Sequence, residues 1–431
     1  MPARPALGAN KIDRDVPQAG LAARQAALHM LDAVLRTGVT LDAAAARGSR
    51  LPPNDQALAL AIAGEVLRRL PDLDDLIDSA TQRPLPDDSK ARMVLRLALA
   101  QKIGLDTPDH ALVSTALPLV AGGPRRLVHG VLGTLLRRGV PKLDAPRLPE
   151  MVEDRWRRAW GEEVVMAARR AIAQRPPLDL SFASDEAAQA YAAVHSGASL
   201  APRHVRLANA GSVAELAGYG TGQWWVQDLA ASLPTRLIPN DARTVLDLCA
   251  APGGKTMQLA AAGHAVTALD HKQSRLSRLA DNLARTHLAA ELVAADALDW
   301  KSAEPFDAVL LDAPCSATGT FRRHPEVLHR ARAAIIAESA ELQARLIEHA
   351  ATLVRPGGTL VYAVCSLEPE EGEGVVNPFL ERNSAFHIAA PANLPDGVTP
   401  TSDGFLRILP GLLESHGGLD GFFVAALVRA G

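Results

Sequence analysis

Two apolar runs in the sequence each stop at a thiol: Val309-Leu310-Leu311-Asp312-Ala313-Pro314-Cys315 and Val361-Tyr362-Ala363-Val364-Cys365-Ser366. A thiolate added to C6 of a cytosine turns the ring into an enamine. Its C5 carbon, otherwise a poor nucleophile, can then attack an activated methyl group, and one hard step becomes easier ones. Such an adduct needs a donor at N3, a base for the C5 proton and expulsion of the sulfur. Asp312, three residues before Cys315, suits the N3 contact if burial keeps it protonated or sharing a proton. Arg322, Arg323 and His324 follow shortly and are expected to meet RNA phosphates.

These residues must be carried by strands. An apolar run of four to eight residues between turn signals suits a strand buried on both faces of a parallel sheet. The carboxyl ends of such strands are where open α/β sheets bind ligands. From residue 243 the pattern alternates. Strands are expected at Thr244–Leu248, Ala265–Leu269, Leu292–Ala295, Ala308–Leu311, Thr359–Val364 and Phe422–Val428, with helices over 255–262, 272–286 and 331–354. This predicts a Rossmann-like, doubly wound parallel sheet over 241–431. Asp247-Leu248-Cys249-Ala250-Ala251-Pro252-Gly253-Gly254-Lys255-Thr256 closes the first strand. It is neither a Walker A loop, because Cys249 stands where glycine is needed, nor GxGxxG. The set Asp247, Gly253, Gly254, Asp270 and Asp296 fits S-adenosylmethionine, whose ribose hydroxyls and adenine amino group bond to carboxylates at strand ends.

The first third reads differently. Residues 1–20 have prolines and no periodicity, and a disordered lead is expected. Helical spacing then recurs over 22–37, 55–70 and 89–103, with Asn54 as a cap and Gly104 as a left-handed stop. Thr107-Pro108 and Pro124 are expected to open two more helices, the second closing at Gly139. An all-α domain over 21–145 follows. Linking helices and a small α+β lobe are expected over 146–240, with Leu178–Phe182 a strand. Residues 121–175 hold 12 Lys and Arg against 6 Asp and Glu. That is the most basic stretch, and Arg157 and Arg158 within it are candidates to follow phosphates. Glu368-Pro369-Glu370-Glu371 is expected to start a helix rather than do chemistry.

Composition narrows the rest. The 431 residues exceed one core, and 48% hydrophobic with 22% charged residues describes a globular chain. Aromatic residues are 4%, too few for a broad base-stacking platform, so an RNA grip must rest on Arg and Lys. The net charge of −3 hides a basic front: residues 1–150 carry 20 Lys and Arg against 16 Asp and Glu. Three cysteines without CxxC spacing argue against a disulfide framework or a thiolate zinc site. No leader, membrane span or metal site is expected, and a reducing cytoplasm follows.

Together these stretches resemble RNA cytosine-C5 methyltransferases of the NOP2/Sun type. The motifs are Val226-Gln227-Asp228, Asp247–Thr256, Asp270, Asp296, Asp312–Gly319, Arg322-Arg323-His324-Pro325-Glu326, Tyr362–Ser366 and Asp420-Gly421-Phe422-Phe423. The helical front resembles the NusB-like RNA-binding domain of the RsmB (Sun) branch, which modifies small-subunit (16S) ribosomal RNA. The resemblance implies that Cys365 is the nucleophile and that Cys315 helps release the product. It also implies cofactor contacts from Cys249, Ala250, Ala251, Pro252, Gly253, Gly254, Lys255, Asp270, Asp296 and Asp312, with Lys255 orienting the substrate or Asp312. Ribosomal RNA is the implied partner of a monomeric enzyme. Val364 stands where the family has Thr, Gly372 where it has Asn, and Pro378 is expected to interrupt a helix. Two other readings compete. One is a non-catalytic ribosome-assembly or antitermination factor that binds RNA. The other is an amino-group methyltransferase, whose Asp-Pro-Pro-aromatic pattern Asp312-Ala313-Pro314-Cys315 does not complete.

Overall fold

The computed structural model describes residues 20–47, 51–208, 210–392 and 394–431. The expected disordered lead therefore lies, but for Gly20, outside the described residues. The chain divides into two compact units, residues 1–142 and 143–431.

The first unit is all helix: α1 (Leu21–Thr37), α2 (Leu41–Arg47), α3 (Pro53–Ser79), α4 (Lys90–Gly104), α5 (Asp109–Ala116) and α6 (Gly122–Arg138). Leu31, Ile62, Leu67, Leu97, Val128 and Leu132 meet in its core. Several sequence signals were overridden. Helix α3 begins at Pro53 and runs through Pro71 to Ser79, so Asn54 is inside it rather than its cap. Ser89, the first residue of the expected helix, caps α4 by accepting from the Arg92 amide. Gly104 is the last residue of α4 and Asp106 takes the positive φ. Pro108, not Thr107, precedes α5, and α6 starts two residues before Pro124.

The second unit opens with α7 (Glu150–Trp160) and α8 (Glu162–Ala173). A lobe follows, made of β1 (Leu178–Phe182), α9 (Asp185–His195), β2 (His204–Leu207) and β3 (Trp224–Val226). Its strands form an antiparallel sheet with β1 in the middle. After α10 (Leu229–Arg236) come β4 (Thr244–Leu248), α11 (Gly254–Ala261), β5 (Ala265–Asp270), α12 (Gln273–Thr286), β6 (Glu291–Ala294) and β7 (Phe306–Asp312). Then follow α13 (Val327–Arg330), α14 (Ala333–Thr352), β8 (Val354–Val364), α15 (Glu373–Arg382), β9 (Phe386–Ile388), β10 (Leu406–Ile408) and β11 (Phe422–Arg429).

The main sheet has the order β10-β11-β8-β7-β4-β5-β6, with β9 also paired to β11. Strands β4 to β8 pair in parallel, as the alternation of strands and helices requires. The expectation of a wholly parallel sheet is corrected at one side, where β11 runs antiparallel to β8 and β10 to β11. The chain winds outward from β4 to β6 and then returns to β7, so the direction of winding reverses between β4 and β7. A ligand crevice belongs at that switch, beyond the carboxyl ends of the strands. The fully buried Leu246, Leu310, Val361 and Phe423 account for the apolar runs of the sequence. Pro378 does not interrupt α15, which continues to Arg382.

Candidate active site

The sulfurs of Cys315 and Cys365 lie 3.5 Å apart. Strand β7 ends at Asp312 and β8 at Val364, and the two are neighbours in parallel register, Asp312 opposite Ala363. Each thiol therefore lies just past the end of its strand, on the same rim. The Cys315 thiol is pushed up well above its ordinary range, first by its hydrogen bond with Cys365, then by burial and the Cys365 charge.

Lys255 in the first turn of α11 reaches across the switch point, and its Nζ donates to Asp312 Oδ2 at 2.8 Å. The ammonium also lies 5.2 Å from the centre of the Phe422 ring, within cation–π range. Burial opposes the charge on Lys255, but Asp312 and, further, Cys365 outweigh it, so its affinity for the proton rises. The expectation for Asp312 is a carboxyl that is protonated or shares a proton. It is half-buried and accepts from the Lys255 ammonium, so the proton it shares is donated by Lys255.

The turn after β4 is shaped for a close ligand. Gly253 has φ +105°, and a Cβ there would lie 1.9 Å from Leu279 Cδ1, so only glycine fits. Asp247 is fully buried; Thr256 Oγ1 donates to its Oδ2 at 2.6 Å, while its Oδ1 has no partner. Burial raises the Asp247 carboxyl to about 7. Burial likewise pushes the Cys249 thiol up to about 12, which keeps it inert as a nucleophile. Asp270 closes β5, buried, accepting from the amides of Ala251 and Lys272. Asp296 lies exposed beyond β6 and accepts from the Leu298 amide at 2.9 Å. An orphaned buried acceptor, a glycine turn at a helix start and two carboxylates at successive strand ends fit S-adenosylmethionine, with its ammonium, ribose diol and adenine amine. Ala250, Ala251 and Pro252 line the same turn.

Glu371, expected only to start a helix, lies at the heart of the site. Its carboxylate accepts from the Ser316 amide at 2.8 Å, from the Ser316 and Ser366 hydroxyls, and from Gln343 Nε2 at 3.2 Å. Gln343, on α14, also donates to the Pro314 carbonyl at 2.8 Å. One buried carboxylate thus ties together the loops that carry both thiols. The signal was present: each cysteine is followed by serine, and the two hydroxyls lie 3.2 Å apart. Glu368, also taken for a helix start, is buried and accepts from both Arg155 and the Trp156 indole N–H.

The arginines expected on phosphates are corrected. Arg322 is 2% exposed; its guanidinium donates to Asp420 and Asp228 and to the Gly417 carbonyl. Arg323 pairs with the same two acids. Both are cross-links inside the unit, because a buried guanidinium needs carboxylates around it. His324 is partly exposed, 3.7 Å from Glu326. Arg157 is taken by Glu162 at 2.6 Å and Asp154 at 3.0 Å, and Arg158 donates to the Asp154 carbonyl. The cause is the order of charges along the chain. Basic residues end α7 and acids begin α8 across Gly161, each matching its helix dipole.

Among the described residues no group of three or more His, Cys, Asp or Glu could hold a metal ion. No described helix is long and apolar enough to cross a membrane.

Residues 234–428 match the model of the 16S rRNA methyltransferase RsmB/F family, and residues 21–137 match the NusB family. Ribosomal RNA small subunit methyltransferase B of Xanthomonas campestris pv. campestris is 36% identical over 437 residues, covering 96% of this chain and 98% of the relative. The protein of that name from Xylella fastidiosa is 35% identical over 433 residues, covering 95% and 98%. A solved methyltransferase homologue from Pyrococcus horikoshii is 26% identical with a TM-score of 0.55, covering 69% of this chain and 98% of its own. With relatives this similar along nearly its whole length, the chain belongs to the RsmB/F family of 16S ribosomal RNA methyltransferases.

Proposed function

We propose that the protein methylates C5 of a cytidine in small-subunit ribosomal RNA through a covalent adduct between Cys365 and C6. The observation that carries this is the 3.5 Å approach of two thiols at the rim of a methyltransferase sheet. An amino-group transferase has no use for a second sulfur there. The methyl donor is S-adenosylmethionine, which supplies an electrophilic methyl on a sulfonium. Asp247, Asp270, Asp296 and the turn from Cys249 to Lys255 are the residues that would hold it.

The chain's own groups do the rest. Asp312 accepts from the exocyclic amine of cytosine, while the Lys255 ammonium donates to the ring acceptor beside it; uracil would present the reverse pattern. Cys365 adds to C6 through its sulfur, and the electrons displaced toward N3 meet Lys255. C5 takes the methyl and must then lose its proton. Once the Cys365 sulfur is committed to a C–S bond, its charge no longer holds the proton on Cys315. Cys315 can then give its proton to water and take the C5 proton; the C6–S bond breaks, Cys365 leaves as thiolate, and the proton at N3 returns to Lys255. The two thiols are within one hydrogen bond of each other, and so are Lys255 and Asp312, which is what preorganisation contributes.

The test is a pair of variants on undermodified small-subunit RNA. Cys365→Ala is expected to lose methyl incorporation and form no adduct. Cys315→Ala is expected to accumulate a protein–RNA adduct that survives denaturing electrophoresis. Full activity in Cys365→Ala, or methylation found on an exocyclic amine, would overturn the reading.

A further inference from the structure

At the opposite rim of the main sheet lies a cavity of about 290 Å³ that the methylation chemistry does not use. It is bounded by the turn before β2, the end of α10, the segment leading into β4, and α11 with the turn before β5. Its charged lining is basic: Arg203 and Arg236, with His264 and the amide of Asn240, and no carboxylate. Strand β4 has five residues, so this rim is roughly 17 Å from the crevice that holds the thiols.

The two arginines are held there at a cost. Arg236 Nη2 donates to the Pro202 carbonyl at 2.9 Å and its Nε to Ser232 at 3.3 Å. Arg203 Nη1 makes a long bond of 3.4 Å to the Ala261 carbonyl. Neither forms an ion pair among the described residues. Asp185 accepts from the backbone amide of Arg203 rather than from either guanidinium. Burial, and next the charge of Arg203, disfavour the proton on Arg236, and the charge of Asp185 offsets them only in part. Arg203 and Arg236 are half-buried, and their printed partners are neutral oxygens, whereas the fully buried Arg206 and Arg322 are matched to Asp179 and Asp420. Arg203 is moreover held at φ +60°, a conformation that a non-glycine residue adopts only when its surroundings fix it. His264 donates from Nδ1 to the Ala242 carbonyl at 2.6 Å, which fixes its ring in the wall.

We propose that this cavity binds a phosphate group between Arg203 and Arg236. A dianion or phosphodiester supplies the missing countercharge, and guanidiniums match phosphate oxygens in pairs. The phosphate has two possible sources, a free phosphate compound or the backbone of bound RNA passing behind the sheet. The second source rests on the reading of the protein as an RNA enzyme; the first does not.

The experiment uses the full chain, Arg203→Gln and the Arg203→Gln/Arg236→Gln double variant. Thermal unfolding is recorded in inorganic phosphate and in chloride at matched ionic strength. Phosphate is expected to raise the Tm of the wild type above its value in chloride, and the increment should vanish in Arg203→Gln. That variant should unfold in chloride no earlier than wild type, since it loses a repulsion and only one long bond. In the second arm, RNA affinity is measured against salt. If the site holds RNA backbone, the double variant lowers the slope of log K against log salt by ~0.7 for each phosphate it no longer neutralises. An unchanged slope with a lost phosphate increment assigns the site to a small phosphate compound. No phosphate increment in the wild type, together with an unchanged slope, overturns the proposal. Methyl transfer to a short RNA that spans only the crevice is expected to be unaffected by Arg203→Gln, so failure here is separable from failure of the methylation reading.

Discussion

Glu371 receives two donors from Ser316, one from Ser366 and one from Gln343; its carboxylate acts on the Cys315 thiol through its charge, which raises it. It is a positioning residue: it fixes the separation of the two strand ends and hence of the thiols. A glutamine there keeps the volume, loses one acceptor oxygen and presents N–H to a hydroxyl. Glu371→Gln should therefore loosen the thiol pair without touching RNA. We expect kcat to fall on the order of 10²-fold, the scale of a misplaced reacting group, with KM for RNA little changed. Steady-state kinetics of folded protein decide; an unaltered kcat would assign Glu371 to stability alone. Asp247 makes a second prediction at this scale. Its carboxyl is raised to about 7 by burial, whereas in the unfolded chain it ionises near the ordinary 3.8. Between those values the folded state binds more protons than the unfolded one, so this group's contribution to stability is present at low pH and is lost as pH rises toward about 7. The full difference is on the order of 4 kcal/mol. Denaturant unfolding from pH 4 to 8 should show the decline in wild type and a flatter profile in Asp247→Asn.

At the scale of elements, Gly372 is a packing solution. A Cβ at Gly372 would lie 2.1 Å from Arg407 Nη2 and 2.9 Å from Phe423 Cγ. Arg407 fills that space: it lies over the Phe423 and Trp160 rings, pairs with Glu373 and donates to the Ser366 carbonyl at 2.8 Å. Gly372→Asn is thus an overpacking change, expected to cost about 1–3 kcal/mol and lower the Tm by several degrees. A wild-type Tm would show that the arginine can move aside. The strands that carry the thiols were legible in the sequence because both are buried on two faces and read as unbroken apolar runs. The glycine turn was legible because its glycines are unavoidable. What was not legible depends on partners distant in sequence. Helices passing through Pro71 and Pro378 are held by tertiary packing that outweighs a lost hydrogen bond. Arg322 reads as a phosphate contact until Asp228 and Asp420 are brought against it from 94 and 98 residues away. Glu371 reads as a helix start because nothing local reveals that Ser316 will face it.

On the scale of the whole molecule, each unit has its own apolar core. Ala23 to Leu135 supply the first cluster, and the clusters around Leu311, Val361 and Trp156 lie entirely beyond residue 142. A unit with its own core folds independently. The crevice residues from Asp247 to Cys365 all belong to the second unit. Helix α6, which carries Arg125, Arg126, Arg137 and Arg138 and no acid, belongs to the first. Removing residues 1–142 is accordingly expected to separate cofactor chemistry from RNA capture. The remaining 143–431 should unfold in a single cooperative transition and bind S-adenosylmethionine with the affinity of the full chain, measured by calorimetry. Its affinity for small-subunit RNA should drop, and the slope of log K against log salt should become shallower by ~0.7 for each phosphate that α6 neutralised. If the truncated chain keeps the full slope, the phosphate-binding groups lie on the second unit, with the Arg203 and Arg236 cavity among the candidates. If it fails to bind cofactor while remaining folded, the turn after β4 depends on the helical unit, and capture and chemistry are not separable by domain.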